Sequence, residues 1–166
     1  MKTFFRKQFN DKLTFLLAAA TILCAASCRK HDVTVDSTKY QSVKFTITIT
    51  GIDKTKNDPF IYIVFDGADA KGSDTRWKVN GVTKKNEPGV GLGELDFLGD
   101  THTYVVESLV PMTGIEALVT CEEDNEGVPP YKMSFKAEIG GKVITDDQNV
   151  SISVDHPYDH DYAYGN

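Results

Sequence analysis

From residue 42 onward apolar and polar side chains alternate one by one, a period that restricts the chain to strands with one face buried and one face wet. In SVKFTITIT, Val43, Phe45, Ile47 and Ile49 share one face, with Lys44, Thr46, Thr48 and Thr50 on the other. YKMSFKAEI repeats the pattern with Tyr131, Met133, Phe135, Ala137 and Ile139. Gly140-Gly141 then turns the chain back, and Val150, Ile152 and Val154 supply another alternating set. In TRWKVNGV, Trp77 and Val79 share a face ahead of Asn80-Gly81, a dipeptide suited to a tight hairpin turn. The nearly continuous apolar run PFIYIVFDG, residues 59–67, reads as a central strand covered on both faces. KKNEPGVGLG, residues 84–93, reads as a loop. Further strands are expected over 94–98, 102–109, 114–122, 130–139 and 149–155. No ten-residue stretch beyond residue 27 keeps a helical period, so the expectation is an all-β chain folded as one sandwich of about seven to nine strands. The sandwich is expected to span residues 41–155, with 156–166 a polar C-terminal tail.

The first residues follow a different logic. Lys2, Arg6, Lys7 and Lys12 face a single acid, Asp11, and residues 13–27 carry no charge and end on small side chains. A basic start, an apolar run and a small-residue exit form an export signal. The uncharged run is shorter than the roughly 20 apolar residues a spanning helix requires. Ala25-Ala26-Ser27-Cys28 resembles the lipobox of bacterial lipoproteins, with Ala25 where leucine is usual. That resemblance implies cleavage after residue 27 and a diacylglycerol thioether and acylated amine on Cys28. Several acyl chains on one residue hold a protein to a leaflet stably. Arg29 takes the place of the aspartate that retains such proteins in the inner membrane, so the resemblance implies a cell-envelope location at the outer membrane. Residues 28–40 then read as a tether between anchor and domain.

Cleavage would leave 14 Lys and Arg against 23 Asp and Glu, because residues 1–27 hold four of the 18 bases and one of the 24 acids. That balance argues against nucleic-acid binding, which requires a basic patch. Cys24 leaves with the signal and Cys28 is the lipid site, so Cys121 has no partner for an intradomain disulfide. Its register with Ile115, Ala117 and Val119 marks it as a small buried hydrophobe.

The segment from Tyr104 to Thr113, with Leu109 and Pro111, resembles the E strand and following turn of fibronectin type III domains. IEALVTCEEDNEG would then be the F strand, with Ile115 where that family carries its corner tyrosine. The resemblance covers about 20 residues and implies an immunoglobulin-like sandwich; it implies no function.

Several clusters permit chemistry. Glu122, Asp124 and Glu126 alternate ahead of Gly127, a pattern that suits Ca2+, although Met133 stands where a full calcium loop places its bidentate glutamate. A solvated turn explains the same residues. Asp66, Asp69 and Asp74 suit turns in the same way. His156 and His160 accompany Asp159 and Asp161, a set able to ligate a transition metal, whereas Pro157 opposes the shared helix face such a pair would use. Trp77 is the candidate ligand-stacking platform, with Tyr158, Tyr162 and Tyr164 as further aromatics. Gly89, Gly91 and Gly93 do not lead a strand into a helix, so they make no phosphate cradle. No serine occupies a nucleophile elbow, and His102 has no partner proposed by spacing. The expected function is non-enzymatic: an envelope lipoprotein whose sandwich binds a protein or glycan partner. The alternatives are a carbohydrate-binding accessory module and an exported hydrolase.

Overall fold

The computed structural model describes residues 39–99 and 102–164, so the signal, Cys28 and nearly all of the tether lie outside the described residues. Among the described residues ten strands and one short helix follow in order: β1 (Val43–Thr50), β2 (Pro59–Asp69), β3 (Trp77–Val79), β4 (Val82–Lys84), β5 (Val90–Gly93), α1 (Glu94–Phe97), β6 (Thr103–Ser108), β7 (Met112–Glu123), β8 (Tyr131–Ile139), β9 (Lys142–Ile152) and β10 (Tyr158–Tyr164). They form two antiparallel sheets. One has the order β4-β3-β6-β1-β8-β9 and the other β10-β7-β2-β5. The fold is an all-β sandwich of ten strands, slightly more than the pattern predicts.

The alternating residues decide the packing. Phe45, Ile47 and Ile49 of β1 stand opposite Ala137, Phe135 and Met133 of β8, and all six are buried. From the facing sheet, β2 contributes Ile61, Ile63 and Phe65, and β7 contributes Ile115, Ala117, Val119 and Cys121. The centre is aromatic: Phe45 stacks on Phe65 at 4.5 Å, and Phe135 lies 6.1 Å from Phe45 and 6.3 Å from Phe65. These separations lie in the range where ring pairs add to simple area burial.

The Asn80-Gly81 turn joins β3 to β4 with φ of 47° and 81° at its two residues, the left-handed pair that a two-residue hairpin requires.

Four expectations change. Among the described residues β2 is covered on its inner face alone, with no third layer over the four-stranded sheet; Phe60 and Tyr62 remain 48% and 50% exposed. The loop expected over 84–93 ends in β5, which pairs with β2 through Val90↔Phe65 and Leu92↔Ile63. The strand expected over 94–98 is α1, started by the Asp96 carboxylate accepting the Gly93 N–H at 2.8 Å. Finally, the expected tail 156–166 contains β10, which runs antiparallel to β7 from Tyr158↔Cys121 to Tyr164↔Ile115. The sandwich therefore extends to Tyr164. Polar Asp159, His160 and Asp161 mask the period in the sequence, while Tyr158 and Tyr164 carry the burial.

Candidate functional site

The most unusual surface is the outer face of the four-stranded sheet. Phe60 and Tyr62 are neighbours on one face of β2, about 6.8 Å apart by strand geometry. Glu122 of β7 stands opposite Phe60, Thr120 opposite Tyr62, and Leu118 opposite Val64. On the other side of β2, Gly93 and Gly91 oppose Tyr62 and Val64, so no side chain from β5 covers the Tyr62 ring. Beyond β7, Asp159 and Asp161 of β10 stand opposite Thr120 and Leu118. The Thr120 hydroxyl donates to Asp159 Oδ1 at 3.0 Å. An open, flat aromatic pair is a surface that ordinarily finds a contact.

The acidic loop is built around Glu123, which alternation turns inward. Its carboxylate accepts the Asp58 N–H at 3.0 Å, the Asn125 N–H at 3.0 Å and the Asn57 amide at 2.7 Å. The Asn57 amide also donates to the Pro129 carbonyl at 3.2 Å. Burial raises the Glu123 pKa, but these donors outweigh it and hold the carboxyl below its ordinary value. Glu123 therefore ties the β1–β2 loop and the β7–β8 loop to the end of β7. Nearby, a cavity of about 450 Å3 is lined by Glu123, Asn125, Glu126, Gly127, Val128, Ser153, Val154 and Asp155.

The proposed calcium trio does not converge. Glu122 projects onto the outer sheet face, whereas Asp124 and Glu126 are exposed in the following loop. Among the described residues no group of three or more His, Cys, Asp or Glu side chains meets at metal-holding distance. The period of two explains this, since residues two apart share a face only while the strand lasts. Asp66 accepts the Gly67 N–H at 2.6 Å beside the bulge in β2, and Asp69 accepts the Ser73 N–H at 2.9 Å in the turn that follows.

Trp77 does not form a binding platform. It is fully buried, 6.3 Å from Phe45, and its Nε1–H donates to the Pro88 carbonyl at 2.8 Å. Strand β3 turns its one large face inward, and the loop before β5 closes over the indole.

The terminal tyrosines are also structural. Tyr158 and Tyr162 both donate to Asp147 Oδ2, at 2.7 and 3.1 Å, and their hydroxyls lie 2.5 Å apart. Tyr164 meets the Thr145 hydroxyl at 2.9 Å. These contacts tie β10 to β9 and so close one side of the sandwich. Burial and the adjacent hydrogen bonds raise the Tyr158 hydroxyl, and burial pushes the Tyr162 hydroxyl up to about 12. His160 lies between Tyr158 and Tyr162, with ring centroids 4.3 and 5.5 Å away. Neither His102 nor His156 lines the cavity. Cys121 is buried as expected, and burial pushes its thiol up to about 12.

Sequence reasoning missed Phe60 and Tyr62 as surface residues. The available signal was Asp66, which shares the parity of Phe60 and Tyr62 and so marks that face of β2 as the wet one.

No protein-family model matches the chain, and no curated protein matches it. Three solved structures are similar. A DUF4425 protein from Bacteroides vulgatus shares 13% identity, with a TM-score of 0.43, covering 76% of this chain and 87% of that one. The calcium-bound form of a Parabacteroides distasonis protein shares 19% identity, with a TM-score of 0.46 and coverage of 75% and 93%. A DUF4425 family protein from Bacteroides ovatus shares 12% identity, with a TM-score of 0.53, over 75% of this chain and 94% of that one. At that identity the last likeness extends to the fold alone, and by that measure this chain has the all-β fold of the Bacteroides ovatus protein.

Proposed function

We propose that this chain is a cell-envelope lipoprotein, anchored through Cys28, whose sandwich is a non-catalytic binding module working through the open face of its four-stranded sheet. One observation carries the binding reading: Phe60 and Tyr62 lie half-exposed and adjacent on a sheet face that no other layer of the described residues covers. Such apolar area costs free energy in water and is recovered when a partner covers it. The anchor reading is supported by the basic start, the uncharged run and the placement of Cys28. Two measurements test the halves separately. Metabolic labelling with an alkyne fatty acid should mark the wild-type protein and leave Cys28→Ser unmarked; equal labelling removes the anchor. A photo-crosslinking residue at position 62 should trap a discrete adduct in intact cells, while one at position 46 on the opposite sheet should not. Identical patterns from both positions remove the binding face.

A further inference from the structure

The open face also has a one-sided charge. None of β2, β5, β7 and β10 contains a lysine or arginine, whereas β1, β3, β4, β8 and β9 each contain at least one lysine. Around the two exposed rings stand Glu122, Asp159 and Asp161, and none of the three has a cation within ion-pair distance among the described residues. Asp66, at the far end, is the exception, 3.9 Å from the Arg76 guanidinium. We infer, building on the binding reading above, that this face docks an extended polypeptide segment bearing arginine or lysine.

The chemistry of both halves of the surface fits such an occupant. A guanidinium stacks on an aromatic ring and at the same time forks onto a carboxylate. Phe60 with Glu122 directly opposite provides that pairing, and the Tyr62–Thr120–Asp159 row provides a second. Charge rejects the other large occupants. A second copy would set acid against acid, and an anionic lipid surface or nucleic acid would be repelled. Size points the same way. Four strands spaced about 4.8 Å apart, used over the six-residue step from Phe60 to Asp66, present on the order of 300 Å2. That is well below the roughly 800 Å2 per partner of a standard globular interface and suits one segment of chain.

The test uses the full chain and a short synthetic peptide alternating arginine and threonine, followed by fluorescence anisotropy at low salt. Tyr62→Ala should weaken binding about tenfold, and so should the triple change Glu122→Gln, Asp159→Asn, Asp161→Asn. The triple variant should also show a shallower dependence on salt. A control triple with the same net charge, Asp74→Asn, Glu94→Gln and Glu126→Gln, should stay within about twofold of wild type. All of these side chains are surface-placed, so unchanged circular dichroism is expected and separates binding from folding. Equal loss in both triples would show bulk attraction alone and overturn the inference. Absence of peptide binding by the wild type would overturn it too. If the peptide fails while a neutral polysaccharide binds in a Tyr62-dependent manner, the face takes a glycan, and the binding reading survives without this occupant. If position 62 traps no adduct in cells, the binding reading itself falls.

Discussion

Removing the Glu123 carboxylate should release two loops at once, β1–β2 and β7–β8. In Glu123→Ala the N–H groups of Asp58 and Asn125 and the Asn57 amide lose their acceptor. Hydrogen bonds to a charged group contribute about 1.5–3 kcal/mol each, but the two backbone donors lie in loops where water replaces part of the loss. Asn57 is buried and its NH2 group keeps only the longer bond to Pro129, so this donor carries the largest penalty. The net loss should be about 3 kcal/mol. For a domain of this size that lowers the melting temperature by about 10–15 °C. The sign with pH follows from the depressed carboxyl pKa. Stability from Glu123 is fully present above its unfolded value near 4.5 and disappears as pH falls through the lower folded value. Glu123→Gln should therefore be less stable than wild type at neutral pH, and the gap should narrow as pH falls below 4.5 and through the lower folded value. Urea unfolding followed by the fluorescence of the single tryptophan reports both quantities. A loss under about 0.5 kcal/mol for the alanine variant, or a gap that stays constant with pH, would refute the account.

The Tyr158 and Tyr162 hydroxyls lie above their ordinary value in the fold, so stability present below about pH 10 should drain away as pH rises toward 12. Tyr162→Phe should flatten that alkaline decline in a thermal melt, and an unchanged slope would contradict it. Cys121 should resist a thiol reagent at pH 8 until denaturant unfolds the sandwich, because its thiol is buried and raised to about 12. Labelling of the native protein at the rate of free cysteine would show that the inner face opens. Trp77→Leu should cost about 2–4 kcal/mol by denaturant titration, from lost packing on Phe45 and an orphaned Pro88 carbonyl. A near-neutral Trp77→Leu would mean that the indole contributes little to the core.

The sandwich was legible wherever one face is apolar and the other polar. β1 and β8 are the clearest cases, since every inward residue is hydrophobic and every outward one is Lys, Thr, Ser or Glu. Legibility failed where composition and burial part company. β10 hides because histidine and aspartates interrupt its tyrosines, and its tyrosine hydroxyls are satisfied by Asp147 and Thr145, partners that only the folded chain provides. β2 misleads in the opposite direction, since Phe60 and Tyr62 fill outward positions with residues that normally mark a core. α1 is a single turn in which the Asp96 carboxylate takes a backbone donor, too short for any helical period to register. The acidic loop could be located by composition, yet its organiser, Glu123, differs from its three flanking candidates only in the parity of its position.

β7 is twelve residues long, and its two flanks are held by β2 and β10. A chain clipped after Asp155 would leave that second flank as a bare row of peptide donors and acceptors, which is a template for another strand. The seven residues from Tyr158 to Tyr164 thus cover that row, and a cut before them that lets them dissociate would offer β7 as a seed for polymers.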